Sequence, residues 1–132
     1  MSSSTAADLS LALYFANARI HQVLDEALSI RLGINFDDYV LLQSLADESD
    51  MELVRLATYL GNTRMGLLNK IRPLEKIGLL VSAGNVSQRQ VRLTPAGQRT
   101  LNTAQQIVAD DSNGMFGDED LGGVLELVEK LN

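Results

Sequence analysis

Apolar positions keep helical register over most of the chain. A long helix is predicted over 8–32, where Leu13, Ala16, Ile20, Val23, Ala27 and Ile30 repeat at alternating steps of three and four residues, as in a coiled-coil seam. Leu24 and Leu28 form a second apolar row beside that seam. A helix apolar on two sides has to be covered on two sides, and a second subunit is the natural cover for the first helix of a short chain. Gly33 marks its end. Asn35 is placed to cap the next helix, with Asp37 and Asp38 in its first turn, where the helix dipole favours anions. The buried row of that helix is Tyr39, Leu42 and Leu45, with Leu41 alongside.

Ser49-Asp50-Met51-Glu52 reads as a capping box that opens a third helix, ending at Leu60-Gly61, with Leu53, Leu56, Ala57 and Leu60 as its core stripe. After a tight Gly61-Asn62 turn, Thr63 caps a fourth helix that places Leu67, Ile71 and Leu74 on one side. At Gly78 the apolar period shortens to that of a strand. Two short strands, 79–82 and 90–93, flank a polar hairpin tip. Thr94 followed by Pro95 is a helix start, and that helix is predicted to run to about Asp110. A loop over 111–117 and an Asp118 cap lead into a last helix with Leu121, Val124, Leu125, Val128 and Leu131 on one face.

Composition narrows the chemistry. With 132 residues and 45% hydrophobic content the chain is sized for one globular domain that needs no metal or disulfide staple. There is no cysteine and one histidine, His21, which excludes a thiolate site, a thiol peroxide sensor and a multi-histidine metal site within one chain. No metal or cofactor is expected. The amino terminus lacks a basic region, and the apolar run over 11–16 is far short of the about 20 residues that span a bilayer. These features point to a cytoplasmic protein without membrane association.

The net charge of −6 hides an asymmetry. The stretch 55–99 holds eight bases (Arg55, Arg64, Lys70, Arg72, Lys76, Arg89, Arg92 and Arg99) against one acid, Glu75, a balance of +7. The rest of the chain carries three bases and sixteen acids, a balance of −13. A basic middle between acidic flanks suits a polyanion-binding lobe, and equally a solvated basic face matched to acidic helices.

The order helix, turn, helix, hairpin, helix is the winged-helix arrangement. The segments Leu53-Val54-Arg55-Leu56-Ala57-Thr58-Tyr59-Leu60-Gly61, Leu74-Glu75-Lys76-Ile77-Gly78-Leu79-Leu80 and Val91-Arg92-Leu93-Thr94-Pro95-Ala96-Gly97 resemble the MarR-type transcriptional regulators. The resemblance is strongest over 33–97. It implies a mainly α fold with a small β-hairpin, a winged helix-turn-helix with N- and C-terminal dimerisation helices. Residues 1–32 and 98–132 are then the dimerisation helices of a homodimer, and 33–97 is the DNA-binding lobe within one compact domain. The fourth helix would enter the major groove of double-stranded DNA, and the wing would reach the neighbouring backbone or minor groove. The chain departs from the family in its wing. Asn85 and Ser87 occupy the positions of the usual aspartate and arginine, with Arg89 two residues later. Pro73 also lies inside the recognition helix, where a kink or early tightening is expected.

With Leu67, Ile71 and Leu74 buried, helical geometry turns Met65, Asn69, Arg72 and Lys76 outward, flanked by Arg64 and Lys70. Arg64, Asn69 and Arg72 are the candidates for base edges, because arginine takes guanine and asparagine takes adenine with paired hydrogen bonds. Thr63 and Lys76 are candidates for phosphate, and Met65 for a thymine methyl. In the hairpin, alternation faces Val91 and Leu93 inward and Gln90 and Arg92 outward, and Arg89 sits near the tip.

Many relatives respond to small aromatic anions. Tyr14, Phe15, Arg19, His21, Phe36 and Tyr39 are the candidates for such an effector site, and plain core packing is the favoured account of the aromatic members. No catalytic constellation is present: there is no Gly-x-Ser-x-Gly, no glycine-rich phosphate loop and no metal-ligand spacing. The expected function is a dimeric, sequence-specific DNA-binding repressor relieved by a small ligand. The alternative is a winged-helix protein-interaction module that binds or sequesters another regulator.

Overall fold

The computed structural model of the chain describes residues 4–48, 51–84, 90–117 and 121–131. Helix α1 (Thr5–Leu32) starts at Ser4, whose hydroxyl accepts a hydrogen bond from the Ala7 N–H at 3.0 Å. It therefore begins before the predicted 8–32. Gly33 closes it, its N–H donating to the Ser29 carbonyl at 3.0 Å. Of the two apolar rows, the chain's own core takes Leu24 and Leu28. Ile20, Val23 and Ala27 of the seam are half-buried, and Ile30 is 75% exposed. The core reaches only the C-terminal half of α1, so Leu9, Leu11, Tyr14 and Phe15 project beyond it.

Helix α2 (Phe36–Asp47) opens with a reciprocal cap. The Asn35 side chain accepts from the Asp38 N–H at 2.8 Å, and the Asn35 N–H donates to the Asp38 carboxylate at 3.0 Å. Leu41, Leu42 and Leu45 are buried, and Tyr39 is half-buried.

Helix α3 (Leu53–Tyr59) does not open on the predicted capping box. Glu52 occupies the cap position and makes no side-chain cap bond, while Ser49 and Asp50 lie outside the described residues. The cause is tertiary: Met51 is buried, and Glu52 forms an antiparallel bridge with Gln90, so its backbone pairs with the wing. The turn after α3 is closed by Gly61 N–H to Thr58 carbonyl (3.2 Å) and Asn62 N–H to Ala57 carbonyl (2.9 Å).

Helix α4 (Arg64–Lys76) starts at Thr63, whose hydroxyl accepts from the Gly66 N–H at 3.0 Å. Leu67, Ile71 and Leu74 are buried as expected. The helix runs through Pro73 and stops one turn later. A proline so near the end withdraws its one N–H and leaves the rest of the ladder in place. Gly78, at φ +84°, supplies the left-handed step that turns the chain into the wing, and Leu79 N–H returns to the Leu74 carbonyl at 2.9 Å.

Strands β1 (Leu80–Ala83) and β2 (Gln90–Leu93) pair antiparallel, with Leu80 opposite Leu93 and Val81 opposite Arg92. The first strand is shifted by one residue from the predicted 79–82. Val91 is buried, Leu93 half-buried and Arg92 exposed, as alternation requires. Gln90, expected to face outward, is half-buried because it bridges Glu52.

Helix α5 (Pro95–Phe116) starts at Thr94, whose hydroxyl accepts from the Gly97 N–H at 3.0 Å. The predicted stop near Asp110 and the loop over 111–117 are overturned, because the helix continues through Gly114 to Phe116. Its added turns lie along α1 and share a groove with Ala16, Arg19 and Val23, and that contact overrides the poor helix propensity of glycine. Helix α6 (Leu121–Glu129) follows; the predicted Asp118 cap lies outside the described residues. None of its described side chains is buried. The core joins Leu28 of α1, Leu41, Leu42 and Leu45 of α2, the buried rows of α3 and α4, Val91 of β2, and Leu101, Ala104 and Ile107 of α5.

Candidate nucleic-acid interface

The outward side of α4 follows from its buried side. Because Leu67, Ile71 and Leu74 lock one face into the core, Arg64, Met65, Asn69, Arg72 and Lys76 are exposed on the others, Met65 by 63%. Thr63, at the cap, is exposed too, although its hydroxyl is engaged by the Gly66 N–H. Asn69, Arg72, Pro73, Glu75 and Lys76 line one open hollow of about 710 Å³ on the outer side of the helix. Arg72 and Lys76 form no ion pair with any described residue. Long donors on an exposed helix face are what groove reading requires.

Lys70 sits differently. Its Nζ lies 3.1 Å from Asp37 Oδ2 of α2, so this flank of α4 is tied to the body of the protein. On the wing, Arg92 is exposed and paired across the hairpin with Val81. Arg89 lies outside the described residues.

Two polar ties hold the wing to α4. Ser82 of β1 donates to Glu75 Oε2 at 3.0 Å, so the single acid of the basic stretch is held by the hairpin. Thr94 serves three partners. Its hydroxyl donates to the Gly78 carbonyl and accepts from the Gly97 N–H, and its own N–H donates to the Leu79 carbonyl at 3.1 Å. The leucine-threonine-x-x-glycine exit is therefore a clamp between the end of α4 and the start of α5. The sequence shows the motif but not its partners Gly78 and Leu79, which lie well apart from it along the chain.

The six effector candidates do not form one cluster. His21, Phe36 and Tyr39 are contiguous: the His21 ring meets Phe36 edge-on at 5.2 Å, and Phe36 stacks on Tyr39 at 5.9 Å. Tyr14 and Phe15 contact each other edge-on at 5.5 Å on the projecting half of α1. Arg19 faces the groove between α1 and α5, beside Val23 and Asp111.

His21 is also hydrogen-bonded at both ring nitrogens, to the Asn17 carbonyl (3.0 Å) and to Asp37 Oδ1 (3.2 Å). Two acceptors on one imidazole favour the protonated ring. The Asn17 carbonyl and Asp37 raise its pKa above 6.5 against a smaller opposing effect of burial. Burial pushes the Asp37 carboxyl up, but Lys70 and His21 together outweigh it and hold the pKa below 3.8. Burial raises the neighbouring Asp38 above 3.8, although the Asn35 N–H and Lys70 oppose it.

No sequence-family profile and no curated protein sequence matches this chain. Solved structures do. A transcriptional regulator of the MarR family from Rhodococcus sp. RHA1 superposes with a TM-score of 0.86 at 18% identity, covering 98% of this chain and 95% of that one. The fold is the MarR-type winged helix. CouR from Rhodococcus jostii RHA1, bound to p-coumaroyl-CoA, shares this MarR-type fold with a TM-score of 0.85 at 18% identity, over 98% of this chain and 93% of its own. The repressor CouR bound to a 23-mer DNA duplex matches with a TM-score of 0.79 at 22% identity, over 98% of this chain and 99% of that one. A MarR-type core thus forms here from a sequence that shares about one residue in five with these structures.

Proposed function

We propose that this chain is a sequence-specific transcriptional regulator that binds double-stranded DNA as a homodimer and represses until a small aromatic effector relieves it. The observation that carries the reading is the outer face of α4, where Arg64, Met65, Asn69, Arg72 and Lys76 stand exposed opposite a fully buried apolar row in a MarR-type fold. In this reading Arg64, Asn69 and Arg72 address base edges, Met65 a thymine methyl, and Thr63 and Lys76 the phosphates. Arg92, together with Arg89, serves the neighbouring backbone.

Residues 33–97 form the DNA-binding lobe of this proposal, and 1–32 and 98–132 its dimerisation helices. The exposed Leu9, Leu11, Tyr14 and Phe15 of α1 and the exposed Leu121, Val124, Leu125 and Leu127 of α6 support a second copy as their cover. The contiguous His21, Phe36 and Tyr39 are the better half of the effector candidates, since they bring three flat rings together.

Selection of bound sequences from a random duplex pool tests the proposal. A palindromic winner, with half-sites about one helical turn apart, is the expected result. A pool that stays random, while the protein captures acidic proteins instead, would replace this reading by the protein-interaction module.

A further inference from the structure

One contact of α4 engages a cation of the basic stretch. Asp37, in the first turn of α2, divides its carboxylate between two cations: Oδ1 faces His21 Nε2 of α1 at 3.2 Å, and Oδ2 faces Lys70 Nζ of α4 at 3.1 Å. Asp37 and Lys70 are 33 residues apart, so the fold alone creates the pair. Both side chains remain partly exposed, Lys70 by 36% and Asp37 by 48%, so an external phosphate can reach the same ammonium group.

We propose that Asp37 is a positioning residue for the DNA-reading helix: it holds Lys70 back from DNA phosphate, and His21 sets how firmly it does so. This inference rests on the DNA-binding reading above. Lys70 cannot donate at full strength to Asp37 and to a phosphate at once. A protonated His21 takes over part of the Asp37 charge and releases Lys70, whereas a neutral His21 leaves Lys70 as the main partner of the carboxylate. DNA affinity therefore rises as His21 gains its proton.

The charged groups around this contact are few. On α1, Asp25 adds negative potential near His21 while its Oδ1 accepts the Phe36 N–H at 2.7 Å. On α2, Asp38 lies beside Asp37 and is occupied by the Asn35 N–H. On α4, Lys70 is the cation. The Asn17 carbonyl, with Asp37, raises the His21 pKa from 6.5, against the opposing effect of burial.

The test is duplex binding by the full chain, followed by fluorescence anisotropy, on a selected operator and on a random duplex over a range of salt concentrations. Asp37→Asn is expected to tighten both by about two- to fivefold per subunit, the range of an exposed ion pair. It should also steepen the slope of log affinity against log salt by about 0.9 for each freed lysine. Lys70→Gln should leave that slope at or below the wild-type value and should lose part of the rise in affinity between about pH 8 and pH 6. Unchanged or weaker binding by a folded Asp37→Asn overturns the proposal. If Asp37→Asn does not fold, identical pH dependence in wild type and Lys70→Gln overturns it. Wild-type protein that binds no duplex at low salt rejects the DNA-binding reading itself, a different outcome from tight wild-type binding that Asp37→Asn leaves unimproved.

Discussion

Gly97 lies so close to Leu79 that a Cβ on it would sit 2.1 Å from the Leu79 carbonyl oxygen and 3.0 Å from its carbonyl carbon. That carbonyl is already bonded to the Thr94 N–H, so it is fixed at the base of the wing. Gly97→Ala must therefore part α5 from the start of the hairpin. A backbone clash of this kind sits at the upper end of overpacking costs, about 3 kcal/mol. Thermal unfolding should show a loss of about 6–12 °C, and a drop below about 2 °C would mean that the junction yields easily.

Arg72 should separate specific from nonspecific binding. Arg72→Ala is expected to weaken operator binding by about 1–3 kcal/mol and to relax the preference at one base position. Binding to random duplex should fall much less. Titrations of both duplexes at one salt concentration decide the matter; equal losses on the two would reduce Arg72 to a phosphate contact.

The α1–α2 tie makes stability depend on pH. His21 has a raised pKa, so its stabilising contribution is complete below 6.5 and fades as pH climbs through the folded-state value. Asp37 has a lowered pKa, so its contribution is complete above 3.8 and fades as pH falls through its folded-state value. Urea unfolding of wild type and His21→Gln should show the larger stability gap at about pH 5.5 and a smaller one at about pH 8.5. A gap that widens toward high pH would contradict the ion pair.

Charges placed on the projecting apolar surface test the homodimer. Tyr14 is 72% exposed and Leu125 59% exposed in the single chain, so neither supports its fold. Tyr14→Asp and Leu125→Asp should leave the single chain folded and should drive the protein to monomer mass in sedimentation equilibrium. Retention of dimer mass by both variants would place the subunit contact elsewhere.

Much of this protein could be read from neighbours in the chain. The caps at Asn35, Thr63 and Thr94, the stops at Gly33 and Gly78, and the buried rows of α2, α3 and α4 all depend on residues within a turn or two of each other. Two expectations failed where distant parts of the chain meet. The opening of α3 was lost to a bridge with Gln90, and α5 gained its last turns by packing on α1. Lys70, which flanks the outward side of α4, pairs with Asp37, a contact 33 residues away that spacing along the chain does not reveal. The aromatic effector candidates shared a residue type but not a place, because α1 carries Tyr14 and Phe15 well beyond the turn that brings His21 to Phe36.

Periodicity and capping residues on their own determine the order of helices and hairpin and the outward side of α4, since hydrogen bonding and apolar burial act within each element. Tertiary structure alone decides which apolar row of α1 enters the core, how far α5 extends and which cations of the basic stretch are already paired. These outcomes depend on contacts between groups tens of residues apart, whose distances exist only once the core formed by Leu28, Leu42, Leu67 and Leu101 has closed.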